Sequence, residues 1–221
     1  MKLKSYSEVK RRKGMTDELL ESIRHGASGN GAGRTLGVSA STVGEGWKAR
    51  SKELPDEFRG RDLSGIDVVA MMVDGIFPGK ESCVEVALAI DSEGHKHLLD
   101  IEEGSSESAE VVKGLFARLK PRGLKAGTAQ RLLLGILAFH RLNVPATLNV
   151  TFLSTNHIEN VMRNSRGTLG KACRWNRQTD QLTRWMGVAL LRAQEGFRRV
   201  RGHKELGDLA PALGSAFGAC R

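Results

Sequence analysis

The feature that most limits how this chain can fold is the apolar run Ile66–Gly75. It is partly β-branched and ends on Asp74 followed by a glycine. A continuous apolar run of this length between turn residues predicts a strand buried on both faces. Asp74 would then be a carboxylate held at the rim of a sheet. Because Asp-Gly is also a common turn dipeptide, spacing alone leaves a simple turn as the alternative.

The composition indicates a globular protein with a polyanionic partner. The 221 residues are 40% apolar, which supports a sizeable core, and the net charge of +9 favours nucleic acid as partner. No run reaches the roughly 18 apolar residues of a membrane helix, and no secretory signal is recognisable. Three widely spaced cysteines argue against disulfides and zinc. We therefore expect a cytoplasmic protein without a membrane partner.

Residues 1–58 are predicted to form a small helical region that resembles a DNA-binding unit. A short helix at 16–25, capped by Thr16, precedes a flexible glycine-rich break at 29–33. Residues 34–50 then carry a helix-turn-helix pattern. Leu36 ends one helix, Gly37 turns the chain, and Ser39 caps the next helix.

The second helix of this pattern is predicted to bury Val43 and Trp47. Its outer side chains would be free for DNA, namely Ser41, Thr42, Lys48 and Arg50. Two features favour the alternative of a plain helical linker. The first helix is weak in sequence, and Gly44 and Gly46 each cost about 1 kcal/mol relative to alanine inside the second.

The middle of the chain is predicted to be a polar boundary followed by three strands and a helix. Residues 54–65 are the boundary, and the apolar run at 66–75 is the first strand. Strands at 82–90 and 95–102 flank a hairpin turn at 91–94, and a helix capped by Ser105 or Ser106 runs to about 119. His95 and His97 share one strand face, but without a third ligand nearby a metal site is disfavoured.

The last third is predicted to be mostly helical and basic. A buried apolar helix at 129–142 precedes a loop at 143–153, of which 148–153 could also be extended. The next helix faces the core with Ile158, Val161 and Met162. Glu159 there fits a capping box with Asn156 and an ion pair with Arg163.

Asp180 is predicted to cap a final helix that contains Trp185. Basic residues interleaved with tryptophan can follow a phosphate backbone while the rings stack on bases. The alternative is that Trp185 and Phe197 belong to the core and the arginines are a solvated face. The candidates for phosphate contact are Arg163, Arg166, Lys171, Arg174, Arg177, Arg198 and Arg199.

Three blocks, in order, resemble the Mutator-type transposases of bacterial insertion sequences. The block from Arg61 to Ile76 resembles the family's first-aspartate strand. The segments Val86–Gly94, His95–Leu98 and Gly104–Gly123 resemble the hairpin and helix that follow it. Ser154–Glu159 resembles the Thr-Asn-x-Ile-Glu motif that supplies the last acid. Leu-Gly-Val-Ser at 36–39 also resembles the family's N-terminal DNA-binding part.

The resemblance implies an α/β (α+β) fold. This would be an incomplete ribonuclease-H-like core with a mixed sheet and flanking helices at 60–205, followed by a tail at 206–221. It also implies that Asp74 and Glu159 are catalytic residues and ligands of Mg²⁺ or Mn²⁺. Implied partners are double-stranded DNA at element ends and another copy of the chain or a full-length transposase, at the bacterial nucleoid.

The family's second aspartate is missing. No Asp or Glu occurs from Val111 to His157, and Leu124 runs directly into Lys125. An internal deletion of the fourth strand and most of the following insertion explains this. No motif places a substitute, although the chain contains Asp67, Asp91, Asp100 and Asp180.

The expected function is DNA binding with strand cleavage and transfer in transposition, impaired because one of three acids is lost. Carboxylates from separate elements must converge on the two metal ions of such a reaction. One alternative is a non-enzymatic DNA-binding derivative that inhibits transposition. Another is a helix-turn-helix regulator with an unrelated α/β domain.

Overall fold

The computed structural model describes residues 15–25, 27–78, 82–104, 109–124, 148, 151, 156–169, 176 and 179–206. Four helices come first, then three strands, then three helices and a short 3₁₀ turn at His203–Glu205. The helices are α1 (Met15–Arg24), α2 (Gly29–Leu36), α3 (Ala40–Ser51), α4 (Leu54–Gly60), α5 (Ala109–Leu119), α6 (Asn156–Leu169) and α7 (Gln181–Glu195). The strands are β1 (Val68–Ile76), β2 (Cys83–Asp91) and β3 (Lys96–Gly104). None of the described helices is both long enough and apolar enough to cross a lipid bilayer.

The three strands form an antiparallel sheet in the order β1-β2-β3. The predicted hairpin is confirmed, with a turn after Asp91 that Gly94 closes at φ 83°. Asp74 and Gly75 lie inside β1, opposite Val86 and Glu85 of β2. The alternative of an Asp-Gly turn is therefore wrong. All pairing among the described strands is antiparallel, so the mixed sheet stays a prediction.

Helices cover both faces of the sheet. On one face, Val86 and Leu88 pack against Ile158 of α6 and Met186 of α7. On the other, Leu99 packs against Leu115 of α5. Asp74 lies on the face covered by α6 and α7. Its neighbours two positions away, Met72 and Ile76, contact that cluster, and strand side chains alternate between faces.

Helices α1, α2 and α3 pack around a second cluster that includes Leu19, Ala32 and Val43. The expected flexible break at 29–33 is wrong, because these residues form the start of α2. The hydroxyl of Ser28 caps this helix by accepting a hydrogen bond from the Gly31 N–H at 3.0 Å. A Cβ on Gly33 would lie 2.8 Å from the Val38 carbonyl oxygen, so the close contact between α2 and the turn requires glycine there.

Two further expectations about helix starts differ from the structure. Thr16 lies inside α1 and not before it. Asp180 occupies the N-cap position of α7 without a capping hydrogen bond from its side chain. Its carboxylate instead lies 3.3 Å from Arg184 one turn later. Ser105 and Ser106 fall outside the described residues.

The segment predicted as a polar boundary contains a helix with one buried face. Leu54 of α4 packs in the α1–α3 cluster, and Phe58 packs in the sheet cluster. Pro55 fits near the start of α4, since the first helical N–H groups have no partner within the helix. The polar residues at 54–60 therefore face outward from a helix that joins the two clusters.

The expectations for the last third have mixed outcomes. Ile158, Val161 and Met162 are buried on α6, as predicted. The loop or extended segment expected at 143–153 is wrong at Leu148 and Thr151, which are helical and buried. The buried helix predicted at 129–142 lies outside the described residues.

Candidate nucleic-acid interface and acidic site

The helix-turn-helix predicted around residues 36–39 is formed. Gly37 ends α2 in the left-handed conformation, at φ 67°. Ser39 is extended, and its hydroxyl accepts a hydrogen bond from the Thr42 N–H at 3.1 Å, which caps α3. Val43 and Trp47 are buried against α1 and α2, as the pattern predicts. The turn therefore presents the outer face of α3 in a fixed orientation.

The four candidate DNA contacts on α3 differ in how accessible they are. Ser41 and Lys48 are exposed. Thr42 is buried, and its hydroxyl lies 2.8 Å from that of Ser39. The expectation that Thr42 is free for DNA is therefore wrong, because this side chain is buried.

Arg50 is held by acids of the protein itself. Its guanidinium donates hydrogen bonds to Asp17 at 2.9 Å and to Glu57 at 2.6 Å, and it also reaches Glu53. Burial acts to lower the pKa of Arg50, but the hydrogen bonds and charges of Asp17 and Glu57 outweigh it and raise the pKa. Arg50 therefore ties α3 to α1 and α4 and is not free, contrary to expectation.

The other basic candidates fall into two exposed groups and one group outside the described residues. Arg163 and Arg166 are exposed on α6, and Arg163 also donates to Asn160. Arg198 and Arg199 are exposed beyond the end of α7, where Arg199 donates to His95 Nε2 at 2.9 Å. The candidates outside the described residues are Lys171, Arg174 and Arg177.

Trp185 and Phe197 are packed into the protein, as the core alternative predicts. The Trp185 ring lies 4.6 Å from that of Trp47, centroid to centroid. Lys96 Nζ lies 5.2 Å above the ring of Phe197. Neither ring is therefore placed as an open platform for a base.

Asp74 and Glu159 lie on two elements that pack against each other. Asp74 is half-buried near the end of β1, and its carboxylate accepts a hydrogen bond from the Gly75 N–H at 2.9 Å. Glu159 is exposed in the first turn of α6. Since α6 contacts β1 through the cluster of Ile76 and Ile158, the two acids belong to the same side of the sheet.

The four aspartates that could replace the missing acid are placed elsewhere. Asp67 is exposed ahead of β1. Asp180 pairs with Arg184, and Asp91 lies 2.7 Å from His97 Nε2. Burial acts to raise the pKa of Asp91, but hydrogen bonds from His97 and from backbone N–H groups outweigh it and lower the pKa.

Asp100 is the most enclosed of the four. Its side chain is completely buried, and its carboxylate lies 3.1 Å from Arg118, 3.4 Å from Arg122 and 3.9 Å from Arg59. Arg122 also donates to the backbone carbonyls of Phe58 and Arg61. This cluster joins α4, β3 and α5, so Arg122 has a structural role.

The described residues do not fit the three-acid metal centre that the resemblance implies. Among them, neither Asp74 nor Glu159 belongs to a trio of His, Cys, Asp or Glu donors close enough to share one ion. The trio of described residues that meets this criterion is Glu21, His25 and Glu195, all exposed near the C-terminal ends of α1 and α7.

Sequence reasoning missed one exposed residue of the helix-turn-helix, Glu45. It lies on α3 between Ser41 and Lys48, four residues after the first and three before the second. Residues at these spacings share one face of a helix. This spacing can be read from the sequence alone, so it could have identified Glu45 as a residue of the exposed face.

One segment, which contains most of the helix-turn-helix and the whole described sheet, matches a known protein family. Residues 33–129 match the family described as Transposase, Mutator family. The transposase for insertion sequence element IS6120 of Mycolicibacterium smegmatis is 35% identical over 99 residues. These residues are 42% of this chain and 30% of the relative, so the chain spans less than a third of that protein. The family match includes the turn of the helix-turn-helix and Asp74, and Glu159 lies beyond it. Residues 33–129 of this chain are therefore similar to the Mutator family of transposases, and the rest of the chain lies outside that match.

Proposed function

We propose that this chain binds DNA in the transposition of an insertion sequence and that its strand-cleaving centre is impaired. The observation that carries the proposal is the capped and packed helix-turn-helix at 29–51, most of which lies within the transposase-like segment. The proposal includes a ribonuclease-H-like origin for residues 60–205. The β1–β2–β3 meander followed by α5 supports that origin.

The DNA-binding part of the proposal rests on charge and on the exposed face of α3. In helix-turn-helix proteins the second helix lies in the major groove and its first turns approach base edges. Ser41 is at that end of α3, and Lys48 is placed two turns later, where an ammonium group can reach phosphate. The net charge of +9 adds long-range attraction to the duplex.

The proposed loss of strand cleavage rests on the positions of the acidic residues. Cutting and joining a phosphodiester uses two divalent ions roughly 3.5–4 Å apart, and Mg²⁺ or Mn²⁺ needs carboxylates from separate elements to hold them there. Asp74 and Glu159 could supply two such groups. Asp91, Asp100 and Asp180 are already engaged by basic side chains. We therefore propose that the chain alone binds element ends without cutting them.

A DNA-binding chain without cleavage activity would inhibit transposition. By occupying element ends, or by joining a full-length transposase in a mixed assembly, it would withhold a complete catalytic centre. The alternative of a regulator with an unrelated α/β domain is disfavoured. The family match runs continuously from the helix-turn-helix into the sheet.

Binding to duplexes that carry the terminal inverted repeats flanking the coding region tests the proposal. Fluorescence anisotropy should be measured at salt concentrations from about 50 to 200 mM. The chain should bind the repeats more tightly than scrambled duplex, and the affinity should fall steeply as the salt concentration rises. Ser41→Ala and Lys48→Ala should weaken binding. Lys113→Ala, which removes an exposed lysine on α5, is the matched control. Equal affinity for both duplexes, unchanged by Lys48→Ala, would contradict the proposal.

A further inference from the structure

The exposed face of α3 carries two long side chains among small ones. Ala40, Ser41, Glu45, Lys48 and Ala49 are exposed along it. Gly44 adds no bulk, since a Cβ there would meet nothing within 4 Å. A helix with small side chains on its outer face can lie deep in the major groove, which is about 12 Å wide. Glu45 and Lys48 are then the two side chains on this face that are long enough to contact the DNA.

The negative charge of Glu45 is unexpected on a helix face that is proposed to contact DNA. The other acids near α3 have a basic partner, because Arg50 forms ion pairs with Asp17, Glu53 and Glu57. Within the described part of the chain, Glu45 has no hydrogen bond or ion pair. A lone carboxylate on the face turned towards a polyanion is repelled by phosphate, so it weakens binding unless it meets a donor.

The major groove supplies such a donor at one base. The N4 amino group of cytosine points into the groove, and Glu or Asp accepts its hydrogen bond. Ser41 and Glu45 are the second and sixth residues of α3 after the Ser39 cap. They are about 6 Å apart along the helix axis at 1.5 Å per residue, within the part that approaches base edges.

We infer that Glu45 is a specificity-determining residue that accepts a hydrogen bond from the N4 amino group of a cytosine in the major groove. Lys48, one turn later on the same face, contacts phosphate and contributes affinity without sequence preference. This inference rests on the proposed DNA-binding function and names the base chemistry that its helix recognises.

Selection from a randomised duplex library tests the inference with the full chain. Wild type should prefer cytosine at one position, by about 5- to 150-fold over other bases. Glu45→Gln should move that preference towards adenine, because the amide of glutamine pairs with adenine N6 and N7. Glu45→Ala should remove the preference there and leave the other positions unchanged.

Lys48→Ala is the matched control on the same face. It should weaken binding to all sequences alike and reduce the salt slope by about 1, without changing base preference. Because Glu45 and Lys48 are both exposed, circular dichroism should show the same fold for all variants.

Three results would overturn the inference, and they are distinguishable. If wild type selects a sequence and both Glu45 variants select the same one, the inference fails while DNA binding stands. The same holds if both variants bind every sequence more tightly by an equal factor, since Glu45 would then only repel phosphate. If wild type binds no duplex, the proposed function fails and the inference fails with it.

Discussion

Asp91 and Asp74 lie on neighbouring strands in different surroundings. Asp91 is 14% exposed and accepts hydrogen bonds from His97 and from the N–H groups of Glu93 and His95. These bonds fix the β2–β3 turn. Asp74 is half-buried, and its carboxylate accepts a bond from the adjacent Gly75 N–H. Asp91 is therefore a structural anion whose carboxylate is occupied by contacts within the turn.

Asp91→Asn should destabilise the protein in a pH-dependent way. The folded-state pKa of Asp91 lies below its ordinary value of 3.8, so its charged form stabilises the fold above pH 3.8. That contribution is lost as pH falls through the folded-state pKa. At pH 7 the free energy of unfolding should fall by about 1–3 kcal/mol.

Urea denaturation at pH 7 and at several values below 3.8 measures this effect. The difference between wild type and Asp91→Asn should shrink as the pH falls. Glu93→Gln, on the same turn but 70% exposed, should change stability by less than about 0.5 kcal/mol. An equal loss for Asp91→Asn at both ends of the pH range would refute the role given to its charge.

At the scale of elements, the sequence predicts local turns better than it predicts packing. The turn between α2 and α3 depends on Gly37, which adopts positive φ because it lacks a Cβ, and on Ser39, whose hydroxyl caps α3. Both signals are local, so this turn was predictable. Helix α2 was not. Three of its first five residues are glycines of low helix propensity, and its formation depends on packing Ala32 and Gly33 against α3.

Gly33 and Gly44 should respond in opposite ways to alanine. Gly33→Ala places a Cβ 2.8 Å from the Val38 carbonyl oxygen and should destabilise the helix-turn-helix by about 1–3 kcal/mol. Gly44→Ala meets open space inside α3 and should stabilise it by about 0.5–1 kcal/mol. Thermal denaturation of the two variants beside wild type measures both effects. Shifts of the same sign would contradict the packing described for α2.

At the scale of the whole molecule, α7 connects the helix-turn-helix to the sheet. Met186 and Leu190 of α7 pack on the sheet, and Val188 packs in the α1–α3 cluster. Trp185 contributes to both clusters and stacks at a tilt on Trp47. The exposed face of α3 and Asp74 are therefore held in one orientation by a helix outside the family match.

Trp185→Ala should loosen this connection. Removing a large, partly buried ring costs about 2–4 kcal/mol and exposes the Trp47 side of α3. Amide hydrogen exchange should rise in α2 and α3 more than in β2. The control Phe197→Ala removes a ring that packs on the sheet cluster and should leave exchange in α3 unchanged. Unchanged exchange in α3 of Trp185→Ala would contradict the connecting role of α7.

The candidate site could be predicted only in part, because local signals can be read from the sequence and tertiary packing cannot. The strand that carries Asp74 follows from its own apolar run. The contact between β1 and α6, which brings Glu159 to the same side of the sheet, joins residues far apart in sequence and depends on tertiary packing. The capture of Asp100 by Arg59, Arg118 and Arg122 likewise arises from three separate elements.

We expect this chain to bind element ends but not to cut them by itself. The most direct test is strand cleavage of labelled duplexes carrying the terminal inverted repeats, with Mg²⁺ or Mn²⁺, at protein concentrations that saturate binding. Asp74→Ala is measured in parallel, together with a chelator control. Both proteins should give a shifted but intact duplex. Metal-dependent cleavage by wild type that is lost in Asp74→Ala would contradict it.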